Sequence, residues 1–316
     1  LRLSAAFACA ALLCHIAPVL ADEAFTTNQN GDDVSVLDLS SQKVVATIPV
    51  GGKPAGIAMS PDGHFAYVTS TEGKYLSVID AAARKIVSEI TIPDTPLGVA
   101  ADPSGNFVYV AGFYEHNLYK IDPRDGKIVA VLEVGKAPSG IAVTPDGKTI
   151  VTADREDDQL SLIDAASFKT RATVKVGAHP FGVTIDAARH RVYAADVESD
   201  DIAIVDMDKA QRVGTVKVGK RPYAIALARD KAFVTNQYAG TVSVFDIETS
   251  QPFKTISVGD YPEGIEAGFD GSKVYVANWF SNEIWEIDAT TLKVTAKMPV
   301  GDGPRAFGTF LRRTTP

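Results

Sequence analysis

The sequence predicts an all-β fold, a seven-bladed β-propeller of four-stranded antiparallel blades closed by pairing of the two chain ends. Three observations predict it. A unit of 40 or 42 residues recurs seven times, each unit holds four short strand-like runs, and the first and last units are complementary fragments of one blade.

Two independent markers set the period. The Asp that ends a Val-x-Asp-like run stands at Asp38, Asp80, Asp122, Asp164, Asp206, Asp246 and Asp288. The Pro after a Gly-rich turn stands at Pro54, Pro96, Pro138, Pro180, Pro222, Pro262 and Pro304. Both series advance by 42, 42, 42, 42, 40 and 42. In each unit strand A follows the Pro, and a Pro-Asp-Gly type turn such as Pro61-Asp62-Gly63 leads to strand B. Strand C ends at the Asp, and strand D, such as Lys43 to Ile48, runs to the next Gly-x-x-Pro. These runs are rich in Val, Ile, Thr and Tyr, which suit a pleated, half-buried surface. No sustained helical period competes with them.

The ends decide between a closed ring and a solenoid, which needs a polar cap at each end. Residues 304–311 read as strand A with nothing after it. Phe25-Thr26-Thr27-Asn28 reads as strand B, followed by C and D. Joined, they complete a blade and hide open sheet edges.

Ahead of the propeller, Arg2, an Ala- and Leu-rich run and Val19-Leu20-Ala21 read as a signal peptide cleaved after Ala21. The expected organisation is therefore residues 1–21 as leader and 22–316 as a single propeller domain, periplasmic or secreted, with no membrane span after cleavage and monomeric. Both cysteines, Cys9 and Cys14, fall in the leader, so the expected mature chain has no disulfide, thiol nucleophile or thiolate metal site. Removing Arg2 moves the formal charge from −8 to −9, which argues against a broad nucleic-acid surface.

Strand B reads Tyr67-Val68-Thr69-Ser70, Tyr109-Val110-Ala111-Gly112, Phe233-Val234-Thr235-Asn236 and Tyr275-Val276-Ala277-Asn278, with Val151-Thr152-Ala153-Asp154 departing most. This resembles the YVTN family of β-propeller repeats, and more closely its YncE-like periplasmic members. The resemblance covers the chain beyond the leader. It implies the fold and names no activity, because the repeats are structural.

Function is sought where the repeat stops repeating. A propeller binds ligands at a mouth of its central channel, here the one built from D-to-A turns and B-to-C loops. The residues after the repeated Pro are Ala55, Leu97, Ser139, Phe181, Tyr223, Glu263 and Arg305; those before it are Lys53, Thr95, Ala137, His179, Arg221, Tyr261 and Gly303. Both positions vary freely around a constant Pro. His179, Phe181, Arg221, Tyr223, Tyr261, Glu263 and Arg305, with Trp279 of a B-to-C loop, are the expected ligand-binding residues. The bland alternative is an unconstrained exposed surface. Loop character is uneven: Asp154-Arg155-Glu156-Asp157-Asp158 and Glu198-Ser199-Asp200-Asp201 are acidic, while Phe113-Tyr114, Tyr238 and Trp279-Phe280 are aromatic.

The fourth residue of strand B forms a second ring that includes Asp154, Asp196, Asn236 and Asn278. Such residues bond nearby backbone in turns. Their oxygens are also what a hard cation such as Ca²⁺ takes. No other cofactor is expected. Zinc-ligand spacing, a Gly-x-Ser-x-Gly elbow, a phosphate loop and a haem attachment motif are all missing. The reading is an exported, non-enzymatic binding or scaffold propeller that engages a small molecule or a periplasmic protein at the mouth. A metal-dependent lactonase-like hydrolase stands as an alternative. So does an accessory of a haem or quinone redox system with His179 as ligand.

Overall fold

The repeated residues make the blades because each meets a backbone requirement. The seven marker Asp side chains accept backbone N–H groups two or three residues on, and so cap the C-to-D turns: Ser41 to Asp38 at 2.7 Å, Ala83 to Asp80 at 2.7 Å, and likewise around the ring. Those bonds favour the carboxylate form and hold several of these groups, Asp122 at about 2, below the usual range, with the Arg124 side chain the largest cause there. The third residue of strand B ties one blade to the next. Thr27, Thr69 and Thr235 hydroxyls donate to the carbonyls of Ala55, Leu97 and Glu263 at 2.9, 2.8 and 2.7 Å.

In this computed structural model, residues 22–314 are described; the expected leader lies outside them. The described residues form seven sheets around a channel, each with four antiparallel strands ordered A-B-C-D, and one of them gains a fifth strand at its inner edge. Blade 1 is the closing blade. Blades 2 to 7 have their A strands at Pro54–Met59, Pro96–Ala101, Pro138–Val143, Pro180–Asp186, Pro222–Ala228 and Pro262–Ala267. Strands B and C are buried almost throughout, whereas D strands alternate toward solvent. Apolar side chains pack between blades, as where Val151, Leu160 and Leu162 of blade 4 meet Val192, Ala194 and Val205 of blade 5. Among the described residues no helix is long and apolar enough to cross a membrane.

Closure follows the expected phase, with one departure. Leu311–Arg312 pairs antiparallel with Glu23–Asn28, in one sheet with Asp33–Asp38 and Lys43–Pro49. Pro304 bridges Asn28, and the N–H of Phe25 meets the carbonyl of Phe310 at 2.8 Å. In ordinary blades strand A carries one more residue than strand B between pairings, as from Pro54↔Ser70 to Ile57↔Val68. Between Asn28↔Pro304 and Ala24↔Leu311 the closing strand carries three more. The surplus is an inward excursion, Phe307–Thr309, which pairs in parallel with strand A of blade 2. Gly308 permits this approach: its φ is +131°, and a Cβ there would lie 2.1 Å from the carbonyl oxygen of Ile57.

Charge fastens the seam. Glu23, 6% exposed, accepts from Arg312 and Arg84, each at 2.8 Å. Half-buried Glu266 of blade 7 accepts the N–H groups of Phe310 and Leu311 at 2.6 and 2.8 Å.

Candidate functional site

The D-to-A turns are built on a costly conformation. Lys53, Ala137, His179, Arg221 and Tyr261, each just before the repeated Pro, have φ between +52° and +59°, a region that non-glycine residues rarely occupy. A cap from the preceding blade holds most of them. The backbone N–H of Lys53, His179 and Arg221 donates to Asp32, Asp158 and Asp200 at 2.9 Å, and that of Ala137 to His116 at 3.2 Å. Thus Asp158 and Asp200, two of the seven acids in the blade 4 and 5 loops, hold turns. With the backbone fixed from below, the side chain at each position is free to differ.

Phe181, Arg221, Tyr223, Tyr261, Glu263, Trp279 and Arg305 line one cavity of about 450 Å³ at this mouth. His179 stands beside it, with Nδ1 3.2 Å from Arg155 and 3.3 Å from Glu198. Sequence reasoning missed Gln29, Val197 and Gln237, which also line it, although each stands directly after the fourth residue of strand B, the repeat position of Trp279 that could have found them.

The residues after Pro form its floor. They are not an exposed rim: Tyr223 and Glu263 are only 5% and 3% exposed. Arg305 Nε donates to Glu263 Oε2 at 2.7 Å, Gln237 Nε2 donates to Oε1 at 2.7 Å, and a further Arg305 nitrogen meets the Tyr223 hydroxyl. Burial pushes the Glu263 carboxyl up, and Arg305 opposes that rise. Below, the Phe181, Tyr223 and Phe307 rings close on one another with centroids 4.4, 4.8 and 5.5 Å apart. Phe307 comes from the inward excursion of the closing strand. These rings separate the mouth from a second cavity of about 650 Å³, lined by Gly, Val and Ala of the A strands and by Pro61, Pro103 and Pro145.

The aromatic wall is continuous. Tyr261 lies 5.6 Å from Tyr238, 5.9 Å from Trp279 and 5.1 Å from Phe280. Phe280 and Tyr238 are 64% and 61% exposed. The Arg221 guanidinium sits over the Tyr238 ring at 4.6 Å. Its Nε is sealed from solvent without an acceptor, as is Trp279 Nε1.

The second ring has a different geometry. Asp154 accepts from Ser161, Thr152 and Gln159 at 2.6, 2.7 and 3.2 Å. Asn236 bonds Gly219, Thr241 and Ser243, and Asp196 accepts the Gly177 N–H at 2.9 Å. Asn278 donates to the carbonyls of Val276 and Glu283. A Cβ on Gly135, Gly177, Gly219 or Gly259 would fall within 2.8 Å of the corresponding Asp or Asn, so side chain and glycine turn interlock. Asp154 and Asn236 are thus engaged through both polar atoms, whereas Asp196 Oδ1 and Asn278 Oδ1 are buried without a hydrogen-bond partner among the described residues. Among the described residues no group of three or more His, Cys, Asp or Glu stands ready to hold a metal.

Comparison with known proteins agrees with this architecture. Residues 10–106 match a family model for the YNCE-like β-propeller, and residues 130–216 match one for the seven-bladed β-propeller lactonase. No curated protein matches. Among solved structures, the chain is similar to a functionally unknown protein from Desulfotomaculum acetoxidans DSM 771, at 16% identity and a TM-score of 0.78 over 90% of this chain and 99% of that one. It is also similar to hydrazine synthase from Kuenenia stuttgartiensis, at 18% identity and 0.71 over 81% of this chain and 89% of that one. At such identities the likeness shows the fold alone. The two family matches fall on successive stretches of one unbroken repeat, and with the closed seven-bladed ring they support a YncE-like β-propeller family for this chain.

Proposed function

We propose that this chain is an exported binding protein, periplasmic or secreted, which captures a ligand or partner at the mouth formed by the D-to-A turns and B-to-C loops and performs no chemistry on it. The convergence of seven variable side chains on one cavity carries this reading. Its volume, about 450 Å³, lies in the range of small-molecule sites, and its mix of aromatic walls with a few placed polar groups is what such sites use. A thermal-shift screen of small molecules and divalent metals on the purified protein tests it. Ligands that raise Tm in the native protein should fail with the triple variant Arg221→Ala, Tyr261→Ala, Trp279→Ala and still act on Val143→Ala, which alters the opposite cavity. Shifts that survive the triple variant place binding elsewhere and end the proposal.

The match of residues 130–216 to a lactonase model favours a second reading, hydrolysis of a lactone with a divalent cation at Asp154, Asp196, Asn236 and Asn278. It asks Asp154 and Asn236 to exchange hydrogen bonds for a metal, whereas Asp196 Oδ1 and Asn278 Oδ1 have no bond to give up. Metal analysis decides it: stoichiometric Ca²⁺, with lactone turnover lost in chelator, would favour hydrolysis over simple capture.

A further inference from the structure

The mouth has an uneven balance of free charge. Three cations line it, Arg155, Arg221 and Arg305. Arg155 is paired with Glu156, and Arg305 is held by Glu263 and Tyr223. Arg221 has no side-chain acceptor or ion pair among the described residues. Asp200, the acid that caps its backbone, takes that N–H through one oxygen and Lys220 through the other. Glu263 is the one carboxylate among the lining residues, and both its oxygens are occupied, one by Arg305 and one by Gln237. A cationic ligand would therefore find no free counter-charge in the cavity, whereas an anionic one would find a guanidinium.

That guanidinium is also oriented. Its place over the Tyr238 ring anchors it, and its sealed Nε leaves the terminal nitrogens as the end that can meet a ligand. A planar fork of N–H donors matches the two oxygens of a carboxylate. Beside it runs the wall of Tyr261, Trp279 and Phe280, rings set edge-to-face and partly open, a surface suited to a flat apolar body. The backbone accepts a left-handed φ of +53° at Arg221 to hold it at this point.

Building on the proposed binding role, we infer that the ligand class of this mouth is a small carboxylate carried on a flat apolar ring, its charge on Arg221 and its ring against Tyr261 and Trp279.

Isothermal titration of the full protein with 1-naphthoate, its neutral amide 1-naphthamide, and acetate tests this. A charge-assisted bond should make 1-naphthoate bind roughly 10-fold or more tightly than the amide, and acetate, lacking the ring, should be weaker than both. Arg221→Gln should abolish the preference for 1-naphthoate over the amide and leave amide binding within about twofold. Arg221→Lys should retain part of the preference, as a point charge without the fork does. Equal binding of 1-naphthoate and the amide, with both lost in Tyr261→Ala, would overturn the carboxylate inference and leave the mouth standing as a binding site. Unchanged 1-naphthoate binding in Arg221→Gln, or no binding of 1-naphthoate at millimolar concentration, would overturn it as well; the thermal-shift screen judges the mouth itself independently.

Discussion

The two mouths of the channel are built from the same seven repeats and differ in what repeats. At the A-to-B end two of the turns keep their chemistry: Pro61-Asp62-Gly63 and Pro145-Asp146-Gly147 are copies, and Asp62 and Asp146 cap their own turns through N–H groups at 3.0 and 3.1 Å. The walls there are Gly, Val and Ala. At the other end only the backbone repeats. Left-handed turn residues are held by caps from the preceding blade, and their side chains run from Ala through His and Arg to Tyr. Where Asp62 and Asp146 cap their own turns the tripeptide is the same; where a neighbour caps the turn through the backbone, the side chain is free to differ.

The closing segment keeps these two ends distinct, and removing it should produce the largest effect. Truncation after Gly303 discards Phe307, Phe310 and Leu311, all nearly fully buried, and leaves buried Glu23 without Arg312. At roughly 1.5–3 kcal/mol for each buried side chain, the loss rivals the whole stability of a domain, about 5–15 kcal/mol. The truncated chain should lack a cooperative thermal transition by circular dichroism. A native-like melt would mean that the ring does not depend on its seam.

A narrower change breaks the partition and spares the ring. Phe307→Ala opens the floor between the mouth and the apolar cavity and should cost about 3–5 kcal/mol, read as a lower denaturant midpoint with an unchanged slope. A cost under about 1 kcal/mol would show that Phe181 and Tyr223 seal the channel unaided.

The smallest effect concerns the scaffold beneath the variable mouth. In blade 1, Asn28 donates to Asp33 at 2.6 Å; in blade 5 the same places hold Asp196 and Asp201, paired across strands B and C. Burial pushes Asp196 up to about 8, and Asp201 adds to the rise against the Gly177 N–H. Between about pH 4 and pH 8 the folded chain thus keeps a proton that the unfolded chain releases, so this site contributes less stability as pH rises through that window. Asp196→Asn, reproducing the blade 1 arrangement, should raise stability above pH 8 and have little effect near pH 4. Equal gains at both pH values would rule out the buried proton as the cause.

Much of this was legible in the sequence because the markers serve the backbone locally. The Asp series caps the turn it ends, and the Pro series begins strand A, so period, blade count and phase of closure follow from one chain of letters. The positions around Pro were legible as variable, and Phe181, Arg221, Tyr223, Tyr261, Glu263 and Arg305 do meet. Their division of labour was not, since it depends on pairing across blades: Arg305 and Glu263 neutralise each other over 42 residues, which leaves Arg221 free. The inter-blade caps were hidden for the same reason. His116 reads as an isolated imidazole until Ala137, a blade away, presents its N–H. The position of Phe307 rests on a three-residue surplus in one strand, which no repeat announces.

That surplus has a consequence for when the pocket exists. Arg305 and Phe307 belong to the strand that shuts the ring, so an open ring has neither the floor of the mouth nor the charge pair that frees Arg221. Under the proposed binding role, recognition is therefore conditional on completion, since a half-zipped chain lacks that floor. By the same linkage an occupant acts as a latch on the seam, since at 100 times its Kd it adds about 2.7 kcal/mol to the closed form.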